Sequence, residues 1–174
     1  MTAPRRPDTT APLHSGRLDL LPIGPEHAAE MAAVLADPAL HAFTGGAPAT
    51  AEELRARYAR LAAGSPDPAE VWGNWVLRLR ADGRLTGYVQ TTVRAGNAEL
   101  AWVVGTPWQG RGLATEAARA LLAHLTAAGI GTVTAHVHPD HHASAAVARA
   151  LGLAPTGERQ DGELRWRAEL PLRP

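Results

Sequence analysis

The chain has 174 residues, with 17 basic and 17 acidic side chains and no net charge, so it carries no electrostatic pull toward nucleic acid or an anionic membrane surface. Every basic residue is Arg and there is no Cys, which excludes disulfides, thiolate metal sites and thiol nucleophiles. No apolar run reaches bilayer-spanning length and the N-terminus lacks a signal-like apolar core, so the sequence predicts a soluble, cytoplasmic protein with one domain.

Residues 1–12 hold Pro4, Pro7 and Pro12 without periodicity, so a mobile arm over 1–15 is expected ahead of a domain over 16–174. A strand over 17–21 follows, where Leu18 and Leu20 alternate with Arg17 and Asp19. Pro25 suits the first position of a helix whose apolar spacing is Met31, Val34 and Leu35, ending before Pro38. The loop 43–48, with Gly45 and Gly46, is expected to be a plain connection rather than a substrate-facing segment. Thr50 and Glu53 form a capping box for a second helix with the stripe Leu54, Tyr58 and Leu61, stopped at Gly64.

From Trp72 the period changes to two. Trp75, Leu77 and Leu79 alternate with Asn74, Val76 and Arg78, and the turns at 81–84 and 94–97 then give two further antiparallel strands, over 85–93 and 98–104. A long helix over about 112–128 carries Leu113, Ala117, Leu121 and Leu125 on one stripe, with Glu116 and Arg119 on another face. The β-branched run 132–137 is reached by crossover and is expected to lie parallel to strand 98–104. A short helix over about 143–151 ends at Gly152, and the tail from Thr156 predicts a hairpin turning at Asp161-Gly162. The expected fold is α/β (α+β): a mixed central sheet of six or seven strands with about four helices. Trp166 on the last hairpin is expected to be exposed, which leaves both a monomer and a homodimer open.

The passage 99–118 concentrates the chemistry. It predicts a buried strand, a break at Pro107, a glycine-containing turn and a helix, and a helix entrance offers unpartnered N–H groups at the positive end of its dipole. That is a place for a phosphate. A Walker loop is excluded because the chain has no Lys, and the dinucleotide fingerprint is excluded because its third glycine position is Thr115.

What remains, Gln109-Gly110-Arg111-Gly112-Leu113-Ala114, resembles the (Gln/Arg)-x-x-Gly-x-(Gly/Ala) loop of the GNAT superfamily of acyl-CoA-dependent N-acetyltransferases. The segment 141–153 is similar to that family's Asn-x-x-Ser-x-x-x-x-x-x-x-Gly-Phe, with His141 in place of Asn, Ser144 and Gly152 retained, and Leu153 in place of Phe. The opening Gly-Arg-Leu-Asp-Leu-Leu-Pro-Ile resembles the RimJ/RimL branch, whose namesakes acetylate N-termini of ribosomal proteins.

The resemblance implies a sheet splayed between strand 98–104 and the next parallel strand, with the pantetheine arm of acetyl-CoA lying in the gap along Trp102, Val103 and Val104. It implies that Gln109, Gly110, Arg111, Gly112, Leu113, Ala114 and Thr115 hold the pyrophosphate, and that His141 and Ser144 support CoA near its sulfur. The partners implied are acetyl-CoA and an amine acceptor, either a protein N-terminus or a small molecule, in a ternary complex without metal, nucleic acid or membrane.

Three side chains are candidates for proton transfer: Glu99, the acid on the central strand; His136, on the parallel strand; and Ser144, as donor to the leaving thiolate. Some relatives place a Tyr acid near the end of the helix after Ser144, where this chain has Val147 and Ala148. Two rival readings stand beside this one: a catalytically inactive CoA-binding regulatory or interaction module, and a metal site built on His136, His138, His141 and His142.

Overall fold

In the computed structural model, which describes residues 5–170, eight strands form one mixed sheet in the spatial order β1-β2-β3-β4-β5-β6-β8-β7. Strands β1 (Leu13–His14), β2 (Leu18–Pro22), β3 (Glu70–Leu79), β4 (Leu85–Arg94) and β5 (Asn97–Val104) are antiparallel to one another in turn. β6 (Thr132–Val137) is parallel to β5, and the hairpin of β7 (Ala154–Gln160) and β8 (Glu163–Glu169) completes the sheet with β8 inside. The strand count exceeds the expected six or seven because of β1, two residues long and too short to show a period, which pairs Leu13 with Leu20 and His14 with Asp19.

The helices are α1 (Ala28–Val34), α2 (Ala51–Ala63), α3 (Leu113–Ala127) and α4 (His142–Ala150). α2 begins with the expected capping box: Thr50 Oγ1 accepts from the Glu53 N–H at 3.2 Å and Glu53 Oε2 accepts from the Thr50 N–H at 2.8 Å. Among the described residues no helix is long and apolar enough to cross a membrane.

Alternation along the strands divides the core between the two faces of the sheet. Leu113, Ala117, Leu121 and Leu125 of α3 pack with Trp75, Leu77, Val89, Leu100 and Val133 on one face. Met31 and Val34 of α1 and Leu54 and Tyr58 of α2 cover Val76 and Leu85 on the other. Each fully buried leucine stabilises the fold by about 1.5–3 kcal/mol. Trp166, expected on an exposed face, is instead 4% exposed. It faces the α3–α4 side of the sheet, where the Arg149 guanidinium lies 5.2 Å from its ring centre.

Of the segment expected as an arm, residues 1–4 lie outside the described residues. The Arg5 N–H donates to Ala128 O at 2.8 Å, and the Trp75 indole N–H donates to Ala11 O at 3.0 Å.

One feature of the pairing positions the site. β5 and β6 are hydrogen-bonded from Asn97–Thr132 only as far as Leu100–Ala135, although β5 continues to Val104 and β6 to Val137. The two strands part there, leaving a gap between their C-terminal ends.

Candidate active site

β5 runs into a 3-10 turn (Thr106–Trp108), and residues 109–112 then lead into α3. Gly110 (φ 75°) and Gly112 (φ 76°) both take the left-handed backbone, which would cost any other residue about 1–2 kcal/mol. A Cβ added at Gly110 would meet nothing within 4 Å, so this side of the loop is open. Gly112 is the N-cap of α3 and supplies no side-chain acceptor. Among the described residues, no backbone N–H from 110 to 115 finds an acceptor in the protein. A run of unpaired amides at a helix's positive end, beside the exposed Arg111, fits a diphosphate.

Gln109 uses its donors internally. Its N–H donates to Thr106 O at 3.3 Å and its Nε2 donates to Val104 O at 2.9 Å, which bends the loop back over the end of β5. Arg17, at the entry to β2, braces the same loop from outside. Its Nη2 donates to Arg111 O at 2.9 Å and its Nε to Glu116 Oε2 at 2.7 Å, while Glu116 Oε1 accepts from the Arg17 N–H and from Ser15 Oγ, each at 2.7 Å. Burial alone would push the Glu116 carboxyl up, but the bonds from Ser15 and Arg17 outweigh it and hold the group below its ordinary range. A cavity of about 620 Å3 opens here, lined by His14, Arg17, Gly112, Thr115 and Arg119.

Inside the gap, Trp102, Val103 and Val104 pair with Val89, Tyr88 and Gly87 of β4, while their other edge has no β6 partner. Across the gap, His141 caps α4: its Nδ1 accepts from the Ser144 N–H at 3.3 Å, which leaves the ring proton on Nε2, 3.1 Å from Ser144 Oγ. Burial, then the neighbouring His138 and His142, push the His141 imidazole below its ordinary pKa. A neutral ring is what this cap needs, since a protonated Nδ1 has no lone pair to offer and would set a positive charge at the positive end of a helix. The same requirement accounts for histidine at an asparagine position, because both present an acceptor to the third amide of the helix.

Glu99 lies on the α1–α2 face of β5, opposite Thr134, and His136 stands two residues further along β6 on that face. Glu99 Oε1 and His136 Nδ1 are 3.3 Å apart; the His136 side chain is 14% exposed and that of Glu99 57%. Glu99 borders two cavities. One, of about 180 Å3, is lined by Trp72, Asn74, Gln90 and Thr92; the other, of about 270 Å3, by Thr134, His136, Glu158 and Arg165. Gln90 Nε2 donates to Asn74 Oδ1 at 2.8 Å, so Asn74 keeps its amide donors and Gln90 its carbonyl free of other side-chain bonds among the described residues.

The structure thus brings Glu99 on β5 to His136 on β6, and His141 to Ser144 at the start of α4. Of the other histidines, His138 Nδ1 accepts from the Asp140 N–H at 3.1 Å, and among the described residues no group of three or more His, Asp or Glu is placed to hold a metal ion. Sequence reasoning missed Phe43, whose ring reaches His138 and His141, and the bracing of the loop by Arg17 and Glu116. Both are contacts between distant segments that no local spacing announces. The Asn74–Gln90 pair was reachable in principle from the alternation of β3 and β4.

The sequence matches the family model described as acetyltransferase (GNAT) domain over residues 17–154. A comparison with curated protein sequences finds no match. The fold is similar to that of a GNAT-family acetyltransferase from Bacillus anthracis (16% identity, TM-score 0.77, covering 91% of this chain and 98% of that one). It is also similar to Mycobacterium smegmatis RimJ in complex with CoA-disulfide (22% identity, TM-score 0.75, 97% and 90%) and to the ribosomal-protein-S5-alanine acetyltransferase from Vibrio fischeri (15%, 0.74, 91% and 96%). These likenesses show the fold, whereas the family match spans most of the chain and takes in both the amide-lined loop and the His141–Ser144 cap. With a sheet that parts beside an open, amide-lined loop, and with that match across it, the chain belongs to the GNAT acetyltransferases, enzymes that draw their acetyl group from acetyl-CoA.

Proposed function

We propose that the protein transfers an acetyl group directly to a primary amine, with acetyl-CoA and the amine bound together. Acetyl-CoA supplies the acyl group as an activated thioester. The observation that carries this reading is the run of unpaired N–H groups over 110–115 beside the parted ends of β5 and β6. The amides of Gly110, Arg111, Gly112, Leu113, Ala114 and Thr115, with the Arg111 guanidinium, hold the diphosphate; Gln109 keeps the loop bent toward it. The free edge of Trp102, Val103 and Val104 pairs with the amides of the pantetheine arm as it would with a further strand. The chain holds no Cys, which favours direct transfer over relay through a thiol.

An alkyl amine with a pKa of about 10 is almost fully protonated at neutral pH, so a base must take its proton. Glu99 and His136 supply that base on the face from which an amine can approach: the mostly buried imidazole orients the carboxylate, and Glu99 Oε1 receives the proton. Ser144 Oγ, held by the hydrogen bond it accepts from His141 Nε2–H, gives its proton to the departing thiolate and is reprotonated from solvent. Of the residues lining the smaller cavity only Glu99 is charged. Together with the Asn74–Gln90 pair this favours an amine that carries neutral hydrogen-bonding groups over a polyamine.

The test is CoA release from acetyl-CoA in the presence of alanine- and serine-initiated peptides, an aminoglycoside and spermidine, with the acetylated product weighed by mass spectrometry. Release with any of the four supports acetyl transfer to an amine; faster release with the peptides than with the aminoglycoside or spermidine supports the preference for neutral groups, and the reverse order contradicts that preference. Tight CoA binding with no release across the panel favours the inactive CoA-binding module instead.

A further inference from the structure

The segment between α1 and α2 touches both lips of the gap. At its start, Asp37 Oδ2 accepts from Thr106 Oγ1 at 2.7 Å, which ties it to the turn after β5. Further along, the ring of Phe43, the chain's single Phe, stacks on the His141 imidazole with centroids 4.5 Å apart and planes 24° apart. It also lies 5.1 Å from His138, tilted by 40°. Thr106 follows β5, and His138 and His141 follow β6, so the step from Asp37 to Phe43 crosses from one parting strand to the other.

The contact matters because of what His141 does. Its two ring nitrogens meet the Ser144 N–H and Ser144 Oγ, and both contacts depend on the orientation of the imidazole plane. The outer torsion of a histidine side chain is broad and nearly two-fold, so covalent geometry does not choose that plane; packing must. The half-buried Phe43 ring is the flat partner that chooses it. We infer that Phe43 is a positioning residue for acetyl transfer, holding the His141 imidazole in the plane that caps α4 and aims the Ser144 hydroxyl. The inference rests on the function proposed above, because Ser144 needs aiming only if a thiolate leaves beside it.

The surroundings of His141 set what its loss would do. The titratable groups around it are His138 and His142; Asp140 Oδ2 lies 3.9 Å from His138 Nδ1. The Phe43 loop, residues 42–50, contributes no charged side chain. Truncating Phe43 therefore rehydrates His141 without removing a charge, and a rehydrated imidazole protonates at higher pH. Once protonated, Nδ1 cannot accept from the Ser144 N–H. The defect should thus deepen as pH falls.

The experiment compares the wild type with Phe43→Leu and Phe43→Tyr in the full chain. CoA affinity is measured by calorimetry, CoA release with whichever amine of the panel the wild type uses fastest, and the His141 titration by NMR, its resonance assigned with His141→Asn. For Phe43→Leu the expected result is a CoA Kd within about twofold of wild type, kcat lower by about tenfold, unchanged KM for acetyl-CoA, and an acid limb moved to higher pH. Phe43→Tyr keeps the flat ring and returns kcat, the acid limb and the His141 titration to wild type. Wild-type kcat and acid limb in Phe43→Leu overturn the inference, as does an unmoved His141 titration. So does loss of CoA binding in that variant, which would make Phe43 a wall of the CoA site. Failure of the wild type itself to bind CoA overturns the proposed function, and the inference falls with it.

Discussion

Gly112 allows the backbone of the proposed phosphate loop to be separated from its electrostatics. In Gly112→Ala the residue must keep φ 76°, at a cost of about 1 kcal/mol. The new Cβ would lie 3.7 Å from Arg17 Nη2, an ordinary contact, so no clash adds to that cost. For a chain of this size the expected drop in Tm is about 2–4 °C. Gly112→Glu carries the same backbone penalty but sets a carboxylate beside the unpaired amides. Against one diphosphate charge about 5 Å away, at an effective dielectric constant of about 20, the repulsion is about 3 kcal/mol. Arg17 screens part of it, which leaves about 2 kcal/mol, or a thirtyfold loss of CoA affinity relative to Gly112→Ala. Melting curves and calorimetric CoA titrations of the two variants measure the two effects. Equal CoA affinity in Gly112→Glu and Gly112→Ala would refute the placement of the diphosphate.

Glu99→Gln should lower turnover by about a hundredfold near neutral pH while leaving the Kd for CoA unchanged, and the deficit should narrow as rising pH deprotonates the amine unaided; a pH series of CoA release checks both. Glu116→Gln should lower stability at pH 7 by about 2 kcal/mol, through weakened bonds to Ser15 and Arg17. Because the folded carboxyl is depressed, its contribution is complete above the ordinary pKa of 4.5 and is lost as pH falls through the lower folded value. The difference in Tm between wild type and variant should therefore close on acidification from pH 6 toward the acid range. Leu121→Ala, at a site 1% exposed between α3 and the sheet, should cost about 3 kcal/mol in denaturant titrations without changing CoA affinity.

The parts of this molecule that could be read from its sequence are those set by neighbours within a turn or a strand. Thr50 and Glu53 announce the cap of α2, and the alternation from Trp72 announces β3 and its hairpins. The spacing of Leu113, Ala117, Leu121 and Leu125 announces the buried face of α3. What escaped is set by distant partners. Leu13 and His14 form a strand only because β2 lies beside them. Trp166 is buried because its face of β8 meets the α3–α4 side, which alternation in one hairpin cannot tell from the outer side. At the site, the loop and the candidates Glu99, His136 and Ser144 were legible as residues. Their pairing was not: Glu99 meets His136 through the register of a parallel ladder, and His141 meets Ser144 through a cap that histidine seldom supplies. Phe43 lay in a loop expected to be only a connection, and its partners are about a hundred positions away in the chain.

The proposed acetyl transfer depends on unpaired main-chain amides meeting a diphosphate where β5 and β6 part. The most direct measurement is a CoA titration of 15N-labelled protein followed through its assigned amide resonances. Saturable shifts concentrated at residues 110–115, with a second set at 102–104 along the free edge of β5, are the predicted result. Shifts confined to other parts of the chain, or none at concentrations that saturate an acetyltransferase, would contradict it.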